Sequence, residues 1–155
     1  MSPGIPRDIR ELDQVEMDAL LSRHHVGRIA YSLHDRVDIE PIGYAHEEGW
    51  IFGRTSSGTK LQILARRPWV AFEVDEVAGP GDWESVVVHG TFYHLEPEGT
   101  ESDKLRFEKA LDAVKRVMPD AFEEGDQVAF RDVLFGIHID RMSGRASSSR
   151  PGPTR

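Results

Sequence analysis

Between Trp50 and Lys60 the chain runs from the apolar Trp50-Ile51-Phe52 into Gly53-Arg54-Thr55-Ser56-Ser57-Gly58-Thr59-Lys60. This segment gathers what a phosphate monoester needs. Small residues let the backbone come close, hydroxyls donate hydrogen bonds, and a following helix would point its free N–H groups at the ligand, while Arg54 and Lys60 supply positive charge. The Gly-x-x-x-x-Gly-Lys-Ser/Thr spacing of a Walker loop is absent. The same residues also suit an ordinary strand-to-helix turn, where Thr, Ser and Gly are common. A second segment, Trp83-Glu84-Ser85-Val86-Val87-Val88-His89-Gly90, heads an apolar strand with an aromatic face and a hydroxyl. It reads as a core strand, or as the mouth of a site in which Trp83 and Ser85 meet a ring system.

Other chemistries lack their patterns. Seven histidines occur, but none in His-Glu-x-x-His, and His24-His25 falls at a helix end where cations complement the dipole. No metal site is expected. There is no cysteine, which excludes disulfides, iron–sulfur clusters and thiol nucleophiles. No Gly-x-Ser-x-Gly elbow occurs. A net charge of −8 argues against a general nucleic-acid binder, so an anionic ligand would need a local basic pocket. No apolar run reaches membrane-spanning length and the N-terminus shows no signal-peptide core, so the chain is read as soluble and cytoplasmic.

Around these residues the elements can be placed by period. Asp13 with Glu16 has the form of a capping box before a helix carrying Met17, Leu20 and Leu21 and ending near His24. Strands are predicted over 26–32, 37–45 and 50–54, joined by turns short enough for hairpins. A short helix over 58–66 puts Leu61 and Leu64 inward, and strands follow over 69–75 and 83–95, with Gly90 as a bend or bulge. The clearest helix covers 102–118, stopped by Pro119, and alternation from Val133 marks a final strand. Met1 to Arg10 is expected to be loose until something packs on it. Residues 1–142 are expected to form one domain, and 143–155, rich in Ser, Pro, Gly and Arg, a disordered tail.

Five or six strands, mostly hairpin-linked, with three helices between them, predict a mainly β, α+β fold: an antiparallel barrel with peripheral helices. A barrel this small fills its interior with side chains, so a ligand the size of a nucleotide would sit outside it. Val70, Phe72, Val86 and Val88 are expected in the barrel or at an interface.

The order of segments resembles the pyridoxamine 5′-phosphate oxidase-like, flavin-binding split-barrel proteins, specifically short bacterial members related to nitroimidazole-resistance proteins. The resemblance is carried by Leu20 to Ala30, Pro41-Ile42-Gly43-Tyr44, Trp50-Ile51-Phe52, Gly58-Thr59-Lys60, Leu64 to Phe72 and Ser85 to Gly90, and returns weakly over 137–145. It implies a split barrel of Greek-key type and an FMN-binding homodimer with flavin in a cleft between subunits. By position, Thr59 and Lys60 fall where the family binds the FMN phosphate, and Arg54 and Thr55 flank it. Pro41, Ile42 and Gly43 lie on the strand that faces the isoalloxazine ring, and Ser85, with Trp83 beside it, falls near that ring. The implied activity is that of an FMN-dependent oxidoreductase acting on a small molecule, with the catalytic residues unassigned. Deazaflavin or haem as the ligand, and a non-catalytic flavin sensor or store, are the alternatives. Two departures stand out: nitroimidazole-resistance relatives usually carry histidine at the position of Arg54, and the Arg-rich C-terminal element of true pyridoxamine phosphate oxidases is not recognisable around Arg141 to Arg145.

Overall fold

The computed structural model describes residues 7–149. Among them the chain forms, in order, β1 (Arg7–Glu11), α1 (Gln14–Arg23), β2 (Val26–Leu33), β3 (Arg36–Glu47), β4 (Trp50–Thr55), α2 (Thr59–Arg66), β5 (Trp69–Gly79), β6 (Asp82–Leu95), α3 (Glu101–Val117) and β7 (Val133–Ser149). Strands β2, β3 and β4 are a hairpin-linked meander. The chain then crosses through α2, and β5 pairs with the free edge of β2, which is the Greek-key order. Strand β6 pairs antiparallel with β5 on one side and with β7 on the other, and β7 returns to β4, so the sheet closes on itself. Every pairing is antiparallel, and the expected α+β barrel with peripheral helices is what forms.

Alternation along each strand sends one row of side chains inward. Ile29, Tyr31, Ile51, Phe72, Val74, Val86, Val88, Phe135 and Ile137 fill the barrel, and all four apolar residues expected in the barrel or an interface (Val70, Phe72, Val86 and Val88) are buried in this core. Helix α1 closes one end with Met17, Leu20 and Leu21. It is fixed to the sheet by the Tyr44 hydroxyl, which donates to the Leu21 carbonyl at 2.6 Å, and by Ser22 Oγ against His46 Nδ1 at 2.8 Å. Helix α3 lies outside the barrel, burying Ala110, Ala113 and Val114 against Ala45, Phe52 and Leu134 in a second, smaller core. Gly90 marks the expected bulge: the β6–β7 register shifts between His89 and Gly90, and a Cβ at Gly90 would stand 2.4 Å from the His138 carbonyl oxygen.

Two expectations at the ends are corrected. Residues 143–149 are not a disordered tail but the second half of β7, while 150–155, like 1–6, lie outside the described residues. Arg7–Glu11 is not loose but pairs with Arg145–Ser149, and the opposite edge of that stretch is taken by β6. Each segment supplies the partner that makes the other a strand. Asp82 fixes the far end, accepting from the backbone N–H and the hydroxyl of Ser149 at 2.9 and 3.1 Å. Strand β5 likewise runs past the expected 69–75, on to Gly79, and turns directly into β6.

Candidate functional site

On the outer face of β3 and β4, beneath the C-terminal end of α3, opens a cavity of about 400 Å³. Its floor is Pro41, Ile42 and Gly43 of β3 with Gly53 and Arg54 of β4, and α3 contributes Val114, Val117 and Met118. His25 and Arg131 complete its polar lining, which contains no carboxylate. The volume lies within the roughly 300–1,000 Å³ typical of small-molecule sites. Gly43 creates much of the room: its Cβ would touch only the His25 carbonyl oxygen, at 3.7 Å. Gly53 has the opposite role. A Cβ there would stand 2.6 Å from Phe135 Cζ and 2.8 Å from the Gly43 carbonyl oxygen, so the absence of a side chain lets β4 lie close on the barrel core and on β3.

Arg54 is buried at the edge of this floor. Its terminal nitrogens clasp the Asp126 carboxylate from the loop between α3 and β7, Nη2 donating to Oδ1 at 3.0 Å, and Nη2 also lies 2.7 Å from the Met118 sulfur. The guanidinium also lies over the Phe122 ring. Asp126 accepts in turn from the backbone N–H groups of Phe122 and Val128, both at 3.1 Å. The guanidinium first, and these N–H groups after it, hold the Asp126 carboxyl well below the usual carboxylate range. Arg54 Nε is buried without an acceptor.

Where β4 ends, Thr55 is buried and the chain passes through Ser56, Ser57 and Gly58 into α2. Helices α1 and α3 each begin with a complete capping box, Asp13 with Glu16 and Thr100 with Asp103. Helix α2 begins at Gly58, with no side chain capping it and no acidic residue in its first turn. Its leading N–H groups therefore have no side-chain partner, and the positive end of its dipole is uncompensated. Lys60, in that first turn, pairs with Glu40, the β3 residue next to Pro41. Lys60 thus reaches the strand that floors the cavity, but no residue of α2 lines the cavity itself.

Pro41, Ile42, Gly43 and Arg54 come together in the cavity, whereas Thr55, Thr59 and Lys60, at the end of β4 and the start of α2, are not among the residues that line it. Trp83 and Ser85 are not brought there by the same chain. They sit on β6, opposite Val77 and Asp75 of β5, and Trp83 lines a separate depression with Arg10 and Asp82. Sequence reasoning missed Asp126, Met118 and Arg131, which belong to the end of α3 and the loop after it. It also missed Glu40. An isolated acid in a polar loop carries no local signal of an arginine 72 residues away.

The sequence pattern of the pyridoxamine 5′-phosphate oxidase family matches residues 13–146. An uncharacterized protein of Rhizobium meliloti (strain 1021) is 24% identical over 148 residues, spanning 90% of this chain and 95% of that one. Among solved structures, a FAD-binding protein from Mesorhizobium loti is 25% identical, with a TM-score of 0.73 over 93% of this chain and 100% of its own. The FAD-binding protein from Mycobacterium smegmatis is 22% identical, with a TM-score of 0.62 over 89% and 98%. The FAD and heme binding protein from the same organism shares the fold at 15% identity, with a TM-score of 0.62 over 92% and 75%.

Proposed function

Because the chain belongs to the pyridoxamine 5′-phosphate oxidase family, we propose that it binds a flavin nucleotide and acts as a flavin-dependent oxidoreductase on a small molecule. The observation that carries this reading is the recess over Gly43: an apolar cavity at a bare stretch of backbone. Pro41, Ile42 and Gly43 would face the ring, and Thr55, Thr59 and Lys60 would meet the phosphate, where charge-assisted hydrogen bonds are strongest. A bound flavin supplies the redox chemistry; this chain's residues hold it, orient it and keep water from its covered side.

FMN is the cofactor implied by the resemblance in the sequence. FAD is a second reading, favoured by the likeness over 93% of this chain to the FAD-binding protein of Mesorhizobium loti. The mass of the flavin released on denaturing the purified protein separates the two.

The cleft also supports a homodimer of about 35 kDa, twice the 17.5 kDa chain. A cavity open on one side buries only part of a nucleotide, whereas ligand sites commonly bury most of it. Helix α3 covers only part of the outer face of β3, and beyond it the outer face of β2, β3 and β5 exposes Val26, Val37, Ile39, Trp69 and Val77. A second copy seated on that face would bury this apolar area and could bring its Trp83 and Ser85 toward the ring. Light scattering tests this: a monomer that still holds one flavin per chain contradicts the shared cleft. Catalysis is tested separately. Anaerobic reduction of the bound flavin by a nicotinamide nucleotide, followed by reoxidation with an acceptor, supports the enzyme, while flavin that no nicotinamide reduces supports a sensor or store.

A further inference from the structure

The position of Arg54 suggests a phosphate ligand, but its surroundings point elsewhere. The guanidinium already holds a carboxylate in bidentate contact, and both partners are almost wholly buried, with 5% and 4% of their side chains exposed. Asp126 is not free to swing away, because two backbone N–H groups of its own loop bind it. Arg54 Nε is left without an acceptor, so the guanidinium is placed to meet Asp126 rather than to satisfy all its donors. A phosphate brought to Arg54 would face the Asp126 charge across the same group, in surroundings too dry to screen it. Lys60 differs. Its partner Glu40 is 35% exposed, and a half-solvated pair can exchange one anion for another.

We propose that Asp126 is a specificity-determining residue of the cleft: it neutralises Arg54 in advance, closes the α3-covered end to phosphates and carboxylates, and reserves that end for the uncharged ring of the flavin. Arg54 is then a ring-end residue, and the phosphate falls to α2. The assignment rests on the flavin reading above.

Riboflavin, which lacks the phosphate, makes this measurable beside FMN. Kd values for both are taken on the wild-type apo-protein, Lys60→Ala, Arg54→Met/Asp126→Asn and Asp126→Asn. Lys60→Ala should weaken FMN by about 10- to 150-fold while leaving riboflavin nearly unchanged. The double variant removes both charges and should keep the wild-type FMN-to-riboflavin preference within about threefold, because a neutralised pair contributes little to phosphate selection. Asp126→Asn leaves the guanidinium uncompensated at the covered end. There inorganic phosphate should compete with riboflavin at millimolar concentration, which it does not do in the wild type.

Loss of the FMN preference by tenfold or more in the folded double variant would make Arg54 a phosphate contact and overturn the assignment. Should the double variant fail to fold, Asp126→Asn decides: riboflavin binding indifferent to phosphate overturns it equally. Wild-type protein that binds neither flavin overturns the cofactor reading and this assignment together.

Discussion

Two ion pairs, one at the cleft and one at the start of α2, draw on cations that lie six residues apart in one stretch of sequence. At the α3 end, Arg54 and Asp126 have side chains 5% and 4% exposed; at the α2 end, Lys60 and Glu40 are 20% and 35% exposed. A buried bidentate pair with further hydrogen bonds is part of the scaffold, and removing one partner strands the other charge. A half-solvated pair contributes little to stability and can be traded for a ligand. Burial, more than residue type, decides which cation belongs to the fold and which to the ligand.

The strongest challenge to that contrast is thermal. Arg54→Met alone leaves the Asp126 carboxylate stranded beneath α3, and the melting temperature should fall by more than about 5 °C. Lys60→Ala should move it by less than about 2 °C. Similar shifts for the two variants would erase the distinction between the pairs.

The two glycines of the floor sharpen the comparison at backbone level. Gly53→Ala drives a Cβ into Phe135 and the Gly43 carbonyl and should cost about 1–3 kcal/mol in denaturant unfolding. Gly43→Ala places its methyl in ordinary contact with His25 and should stay within about 0.5 kcal/mol. A reversed order would mean that the recess over Gly43 is filled in solution.

An intermediate case lies on the exposed sheet face, where Arg28 reaches both Glu73 and Asp75, at 3.3 and 3.4 Å. Partial burial, and then the neighbouring Asp75 carboxylate, push the Glu73 carboxyl up to about 7 against the pull of Arg28. Between about pH 4.5 and 7 the folded chain therefore holds a proton there that the unfolded chain has released. Stability from this group is full below that window and is lost as pH rises through it. Glu16, lowered to about 2 by Arg10, and Glu76, lowered to about 2 by Arg23, act oppositely: their stabilisation is present at neutral pH and lost as pH falls below about 4.5. Glu73→Gln should flatten the decline in melting temperature from pH 5 to 7 and leave the acid limb unchanged. A decline that persists would place its origin elsewhere.

What could be read in advance follows the range of the interactions. Capping at Asp13, alternation in β2 to β6, the bulge at Gly90 and the turn into α2 are local, and each was legible. Ser143 to Ser149 has the composition of a tail, yet it is held as a strand between β1 and β6, whose pairing no local pattern announces. The residues of the phosphate-like turn were legible as chemistry, but not the partners of its two cations, since Glu40 and Asp126 lie 20 and 72 residues away. Nor could spacing show that Trp83 and Ser85 would stand apart from the cavity in a single chain, because barrel closure decides that placement.

Flavin seated over Gly43 is tested most directly by a fluorescence titration of the apo-protein with FMN in which wild type and Gly43→Val are run side by side. Wild-type protein should quench flavin fluorescence to saturation at one flavin per chain, while Gly43→Val, equally folded by circular dichroism, should lose at least about 100-fold in affinity, because its side chain occupies the recess. No saturation of the wild type at tens of micromolar, or a folded Gly43→Val that binds FMN as wild type does, would contradict it.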